Sequence, residues 1–227
     1  MVFNTTLYGG KIMTLTIREP GSAFTHFIAM MVAFPAATIL LVKAGSSSHT
    51  SLTAMSIFML SMVLLYGASA LYHTLTVRSS ILKIFQKIDH MMIFVLIAGS
   101  YTPICMLVLG HHQGYILLAV IWAIAAVGML SNILWINCPK WFSSVIYIAM
   151  GWACVSVFGQ LTSSLAPGAF ALLLAGGIIY TIGGVIYALK LPLFNQRHAA
   201  FGSHEIFHLF VMAGSLCHFL CMYLYIA

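Results

Sequence analysis

The stretch Gly202-Ser203-His204-Glu205-Ile206-Phe207-His208-Leu209 begins the last apolar run of the chain, which continues without a charged residue to Ala227. If this run is a helix, the four-residue spacing places His204 and His208 on one face, about one turn apart. Two imidazoles at this spacing can reach a single metal ion. A complete site needs further ligands, which the fold has to bring to the same depth.

Composition places the chain among polytopic membrane proteins. Its 227 residues are 62% hydrophobic and 5% charged, with a mean hydropathy of +1.07. The nine Lys and Arg residues lie between apolar runs and form no patch, so nucleic-acid binding is not expected. We expect a polar, cytoplasmic N-terminal segment at 1–20, without the pattern of a cleavable signal peptide, and a single membrane domain at 21–227.

Seven apolar runs are long enough to cross a bilayer as helices. They cover residues 22–42, 51–73, 88–109, 114–135, 142–161, 168–189 and 205–226. Backbone groups in hydrocarbon must be satisfied within the segment, and the runs are continuous where a barrel would alternate. The predicted fold is therefore an all-α integral membrane bundle of seven transmembrane helices.

The positive residues predict the orientation of this bundle, because Lys and Arg are retained on the cytoplasmic side. One side of the bundle receives eight of the nine, namely Lys11, Arg18, Arg78, Lys83, Lys87, Lys140, Lys190 and Arg197. The other side receives only Lys43. We therefore expect a cytoplasmic N-terminus and a C-terminus outside the cytoplasm.

This orientation brings the ends of three predicted helices to the cytoplasmic face, where they carry His73, Asp89 and the pair His204 and His208. Facing helices of a bundle can build a metal site from such side chains. The chain has only three acidic residues, and two of them, Asp89 and Glu205, fall among these histidines. Ionisable residues at membrane depth are costly, so their default interpretation is functional.

Three imidazoles with a carboxylate nearby fit a catalytic zinc that has three protein ligands and an open position for water. Zinc lowers the pKa of such a water to about 7. Asp89 could hold this water as general base or orient a histidine, and Ser69, one turn deeper than His73, could bind the His73 ring or the water. Calcium and magnesium are disfavoured because they prefer oxygen ligands.

The same string also matches the H-E-x-x-H motif of zinc peptidases, in which the glutamate is the general base. In those enzymes the helix lines a soluble cleft, whereas here it begins a membrane span. Glu205 also follows His204 directly and points about 100° away from it. Asp89 is therefore preferred to Glu205 as the carboxylate that holds the water.

Five stretches match one known family in order, spacing and position, namely Thr25-His26, Ser69-Ala70-Leu71-Tyr72-His73, Phe85-Gln86-Lys87-Ile88-Asp89-His90, Ala98-Gly99-Ser100-Tyr101-Thr102-Pro103 and Gly202-Ser203-His204-Glu205-Ile206-Phe207-His208. On these residues the chain resembles the hemolysin III family, within the progestin and adipoQ receptor superfamily. The resemblance implies seven helices, a cytoplasmic N-terminus and zinc on His73, His204 and His208, with Asp89 near the metal water. Receptor-branch members are credited with ceramide hydrolysis, which implies lipid amide hydrolysis here.

Two classes of function remain open at this point. The first is a zinc-dependent hydrolase of the cell membrane whose lipid substrate enters from the bilayer. The alternative is a non-enzymatic membrane-homeostasis protein in which zinc ties spans two, three and seven together, or a cytolytic hemolysin. A structural zinc prefers four closed protein ligands, often cysteine, and no cysteine is expected at the depth of the histidines. A pore needs a polar stripe along a helix, and the apolar runs show none. The hydrolase is therefore favoured. The sequence has no long cytoplasmic region of the adiponectin-receptor type, and no pattern predicts an oligomeric state.

Other residues carry weaker expectations. His26 opens the first span and is expected beside the site, while His90 is expected to serve helix packing or an interfacial role. His218 is too deep to join the same ion and is expected to form a hydrogen bond across the bundle. Pro103 is expected to kink the third span and open a pocket between helices.

The orientation can be tested with fused reporters. A reporter placed after Ala227 is expected outside the cytoplasm, because the charges place the N-terminus in the cytoplasm and seven predicted spans separate the two termini. A matched reporter inserted after Arg78 should lie in the cytoplasm. Activity of paired reporters that function on only one side of the membrane measures both positions, and a cytoplasmic C-terminus would contradict the depth shared by the three histidines.

Overall fold

Seven helices long and apolar enough to span a membrane form the body of the protein in the computed structural model, as predicted. The structure describes residues 2–6, 12–135, 140–189 and 201–227. The α-helices are α1 Pro20–Ser47, α2 His49–Thr74, α3 Ser79–Pro103, α4 His111–Leu134, α5 Lys140–Gly151, α6 Phe158–Ser164, α7 Pro167–Leu189 and α8 Ser203–Cys221. The fifth span consists of α5, a 3₁₀ segment at Trp152–Val157 and α6.

A tight connection joins the first two helices. Ser48 ends α1, and its side chain accepts a hydrogen bond from the Ser51 amide at 3.0 Å, which caps the start of α2. At the other end of this pair, the Glu19 amide donates to the His73 carbonyl oxygen at 3.0 Å. The start of α1 and the end of α2 are therefore attached at the same end of the bundle.

Helix α3 begins earlier than the hydropathy predicts. The predicted span starts at residue 88, but α3 starts at Ser79, so most of the connection predicted at 74–87 is helical. Lys83 and Lys87 end an apolar window without ending a helix, because Lys is a good helix former. Lys87 Nζ also donates to the Ile133 carbonyl at 2.9 Å near the end of α4. The orientation itself stays a prediction, and Lys11, Lys190 and Arg197 lie outside the described residues.

Irregular turns interrupt or end three of the spans. After Pro103, residues Ile104–Val108 form a π-helical turn, and another such turn at Met222–Ile226 follows α8. The Tyr101 hydroxyl accepts from the Cys154 amide at 2.9 Å and donates to the carbonyls of Met150 and Gly151 at the break in the fifth span. Tyr101, two residues before Pro103, also lines an interior cavity, so a pocket lies near the position where one was predicted.

Outside the helical bundle, the N-terminal segment contains two short strands that the sequence analysis did not predict. Strand β1, Val2–Thr6, pairs antiparallel with β2, Ile12–Thr16. The two sequences, VFNTT and IMTLT, contain several residues that are β-branched or aromatic, and these favour strands.

Glycines allow α7 to approach α8 closely. A Cβ atom at Gly183 would lie 2.6 Å from the Phe210 Cβ of α8, closer than van der Waals contact allows. A Cβ at the adjacent Gly184 would lie 3.5 Å from Ile148 of α5, which is an ordinary contact. Only Gly183 of this pair is therefore required for the α7–α8 approach, which sets the position of the helix that carries His204 and His208.

We expect Gly183→Ala to destabilise the protein by about 1–3 kcal/mol, because α7 and α8 must move apart or strain. Gly184→Ala is the matched control and should be neutral or slightly stabilising, because alanine favours the helix. Thermal unfolding in detergent, followed by fluorescence-detected size-exclusion chromatography, measures both. Equal melting temperatures for the two variants would show that the close approach is not needed.

Candidate metal centre

Three histidines from two helices converge at one end of the bundle. His73 comes from the last turn of α2, and His204 and His208 come from the first turns of α8. One ligand atom from each lies within 4.8 Å of the others. The Nε2 atoms of His73 and His204 are 3.2 Å apart. This agrees with the separation of about 3.3 Å expected for two nitrogens bound to a tetrahedral zinc at 2.0–2.1 Å. The cluster therefore fits a metal ion.

The burial of the cluster supports the same conclusion. His73 is 1% exposed and His208 is 2% exposed, while His204 is partly buried. Two imidazole lone pairs at 3.2 Å repel each other unless a proton or a cation lies between them. Burial removes the water that would otherwise screen this repulsion. A metal ion satisfies all three nitrogens at once.

Glu19 and Arg18, at the start of α1, hold the end of α2. The Glu19 carboxylate accepts a hydrogen bond from His73 Nδ1. Arg18 donates to the Tyr72 carbonyl at 3.1 Å, and its guanidinium lies 4.2 Å above the Tyr72 ring. A carboxylate on Nδ1 directs Nε2 of the same ring toward a metal, as in many carboxylate–histidine–zinc sites. Glu19 therefore orients a candidate ligand.

The sequence analysis gave Glu19 no role, although a signal for one was present. Glu19 is one of only three acidic residues in the sequence and stands immediately before the first span. Its partner His73 is 54 positions away in the sequence, so only the packing of α1 against α2 shows which histidine it contacts.

Helix α1 also supports His208. The Thr25 hydroxyl lies 3.2 Å from His208 Nδ1 and donates to the backbone carbonyls of Gly21 and Ser22, so it can accept from an Nδ1 proton. This arrangement leaves His208 Nε2 free for a metal. The His26 ring stacks on the His208 ring at 3.7 Å with an interplanar angle of 6°. His26 therefore lies beside the centre, as expected, but outside the group of three ligands.

Glu205 has a structural environment. One carboxylate oxygen accepts from the Gly202 amide at 2.8 Å, which caps the first turn of α8, and the other accepts from the Ser22 hydroxyl of α1. Both oxygens are therefore occupied by contacts that position α8. These contacts favour Asp89 over Glu205 as a carboxylate for chemistry.

An interior cavity of about 140 Å³ opens beside the histidines. Its wall contains His204 and His208 together with Asp89 and Ser69, and most of its other lining residues are apolar. Asp89 is 7% exposed and comes from α3, so a third helix reaches the site. The Ser69 hydroxyl is buried without a hydrogen-bond partner among the described residues, so the expected bond to the His73 ring is not formed.

A model of the haemolysin-III related family matches residues 15–219 of the chain. The chain belongs to this family. It is 35% identical to Hemolysin-3 of Bacillus cereus over 216 residues, which cover 94% of each chain. It is 34% identical to the Hemolysin-3 homolog of Bacillus subtilis (strain 168) over 212 residues, 92% of this chain and 95% of the relative. The Adiponectin receptor protein of Drosophila melanogaster is 24% identical over 221 residues, 88% of this chain and 49% of the receptor.

This member of the haemolysin-III related family is a multi-pass membrane protein, because seven of its helices are long and apolar enough to span. The matched range contains the whole candidate centre, from Glu19 to His208. His90, expected to serve packing, also lies in the cavity wall, and its carbonyl accepts from Tyr147 at 3.0 Å. Two adjacent residues of α3, Asp89 and His90, therefore line the cavity.

Replacement of Glu19 tests how this haemolysin-III related protein orients the candidate metal ligand His73. We expect Glu19→Gln to weaken zinc binding about tenfold, because the ring of His73 loses its anionic partner. Glu205→Gln is the matched control, since the hydrogen bonds of the Glu205 carboxylate among the described residues are to Ser22 and Gly202, and His208→Ala should remove most of the metal. Competition with a chelator at neutral pH measures the affinities.

Unchanged zinc affinity in Glu19→Gln would contradict the orienting role of the carboxylate. Full zinc content in both His204→Ala and His208→Ala would reject the metal centre itself.

Proposed function

We propose that this haemolysin-III related protein is a zinc-dependent hydrolase that cleaves an amide bond in a membrane lipid. The observation that carries the proposal is the shared cavity: the Asp89 carboxyl and two candidate metal ligands, His204 and His208, line one buried, largely apolar space. A soluble substrate would not need such a wall, whereas a hydrocarbon chain is stabilised by it.

In this proposal His73, His204 and His208 hold the zinc ion. Zinc with three histidine ligands supplies a water of lowered pKa and polarises a carbonyl group. The nitrogen donor set is the one that zinc prefers, while calcium and magnesium prefer oxygen. Glu19 and Thr25 lie at the outer nitrogens of His73 and His208, and these contacts direct the inner nitrogens of the two rings toward the proposed ion.

Asp89 serves as the proton carrier. Its carboxylate accepts a proton from the water that adds to the amide carbon, and it returns that proton to the leaving nitrogen as the carbon–nitrogen bond breaks. Ser69, whose hydroxyl has no other partner among the described residues, donates to a polar group of the bound lipid. These two residues are therefore the proposed catalytic residues.

The setting in the membrane completes the proposal. The N-terminal segment and the metal centre lie on the cytoplasmic side of the cell membrane, the bundle at 21–227 forms one domain, and the C-terminus lies outside. The lipid enters laterally, which keeps its chain in hydrocarbon and carries its polar end to the centre. Large apolar side chains of α1, such as Phe24, Val32 and Val42, are exposed and fit a lipid-facing surface.

A structural role for the metal is the second candidate. The centre joins the ends of α2 and α8, and α1 is attached to both through Glu19 and Glu205. Zinc could therefore serve to tie these spans together without catalysis. The name of the Bacillus cereus relative, Hemolysin-3, suggests cytolysis, but the largely apolar lining of the cavity does not favour a water-filled path.

The two carboxylates near the centre should behave differently when each is replaced. Asp89→Asn is expected to retain zinc but to lower lipid amide hydrolysis about a hundredfold or more, the scale for loss of a general base. Glu205→Gln should have a much smaller effect, because its contacts are to Ser22 and Gly202. Release of fatty acid from ceramide-like and other lipid amides by protein in nanodiscs measures both.

Two results would overturn this mechanism. Inactivation by Glu205→Gln, with Asp89→Asn active, would replace it with a peptidase-like one. If the zinc-loaded wild type hydrolysed none of a broad panel of lipids, only the structural role for the metal would remain.

A further inference from the structure

His218 is a buried polar residue that the proposed reaction does not use. It lies on α8, ten residues after His208, which corresponds to about 15 Å along a helix. The side chain is buried, with only 8% of the residue exposed. Its Nε2 atom lies 3.3 Å from the Leu173 carbonyl oxygen of α7, as the expected hydrogen bond across the bundle requires. Its Nδ1 atom has no partner among the described residues.

The contact with Leu173 determines the chemical character of the free nitrogen. A carbonyl oxygen can only accept, so Nε2 carries the proton and donates it. In the neutral ring, Nδ1 is then a lone-pair acceptor. A buried acceptor without a donor costs free energy, so a ligand that brings a donor is favoured at this position.

His218 stands where two cavities meet. It lines the cavity beside the metal centre and also a second cavity of about 80 Å³. The walls of both contain Ser100, Tyr101, Gly151, Trp152, Gly177 and His218. The two cavities therefore adjoin each other at this wall, one on the side of the metal centre and one beyond it, and His218 borders both.

Other polar groups on this shared wall already have partners. Ser100 donates to the Ile97 carbonyl at 2.8 Å, and Trp152 donates to Thr181 at 2.9 Å. The Tyr101 hydroxyl donates to Met150 and accepts from Cys154. A buried water usually needs two to four polar partners, so the isolated Nδ1 is a poor water site.

The ring of His218 is held in one place. A Cβ atom at Gly176 would lie 2.4 Å from His218 Cδ2 and 2.6 Å from its Nε2, so the ring occupies the space that this glycine leaves. The Tyr180 ring packs edge-on against it with centroids 5.3 Å apart. The acceptor is therefore positioned before any ligand binds.

We propose that the two adjoining cavities together bind a lipid whose hydrocarbon chain carries a hydroxyl group, and that this hydroxyl donates a hydrogen bond to His218 Nδ1. The inference rests on the proposed function only for the position of the reactive amide at the metal end. A fully extended chain of single bonds advances about 1.2 Å per bond, so a separation of about 15 Å places the hydroxyl roughly twelve bonds from the amide. Keto, ester and carboxylate groups cannot donate and do not fit.

The test compares two neutral probes, the methylamide of octadecanoic acid and the same amide with a hydroxyl on the twelfth carbon. Binding to the full-length zinc-loaded protein is measured by native mass spectrometry, and fatty acid release is followed in the same samples. We expect the hydroxylated amide to bind about three- to tenfold more tightly, the effect of one hydrogen bond.

Variants locate the preference. His218→Leu should abolish it, and His218→Asn, which keeps an acceptor near the position of Nδ1, should retain part of it. Gly176→Ala should reduce it by displacing the ring, whereas Gly159→Ala on α6, outside both cavity walls and with no atom within 4 Å of the added carbon, is the control. Ser100→Ala should leave it unchanged. Retained zinc content verifies that each variant is folded.

Equal affinity of the wild type for the two probes would overturn the inference, as would a preference that survives in His218→Leu or disappears in Ser100→Ala. The outcomes are independent of the proposed hydrolysis. A preference that depends on His218 without fatty acid release supports this inference and counts against the proposed function. Fatty acid release from both probes without a difference in affinity supports the proposed function and overturns this inference.

Discussion

Hydrocarbon offers no hydrogen-bond partners, so polar groups inside a membrane bundle must be matched within the protein or by a ligand. In this protein the demand is concentrated where α2 ends and α8 begins. His73 and His208 are almost fully buried there, and their outer nitrogens face Glu19 and Thr25. One nitrogen from each of His73, His204 and His208 lies within 4.8 Å of the other two. The position of α1 against these two helices is therefore part of the metal centre.

The same constraint distinguishes structural polar groups from groups that await a ligand. Glu205 has both oxygens occupied, by Gly202 and Ser22, and it joins the cap of α8 to α1. Ser69 and one nitrogen of His218 are buried in cavity walls without partners among the described residues. Each such group costs stability when it is unmatched, which makes it a candidate for contact with a ligand.

Much of the fold and part of the centre could be predicted from the sequence. The seven spans follow from the length of uninterrupted apolar runs, because a bilayer accepts only segments whose backbone bonds are internal. The pairing of His204 with His208 follows from helical periodicity alone. The start of α3 at Ser79 was missed, since charged residues end an apolar window while the helical hydrogen bonds continue.

The sequence by itself determined the number of spans and the pair of candidate ligands within α8, because both depend on local composition and spacing. Only the tertiary structure decided that Glu19 pairs with His73, that Ser69 faces the cavity and not that ring, and that α7 and α8 meet at Gly183. These contacts join residues far apart in the chain, and side-chain packing selects among many pairings that the sequence pattern permits equally.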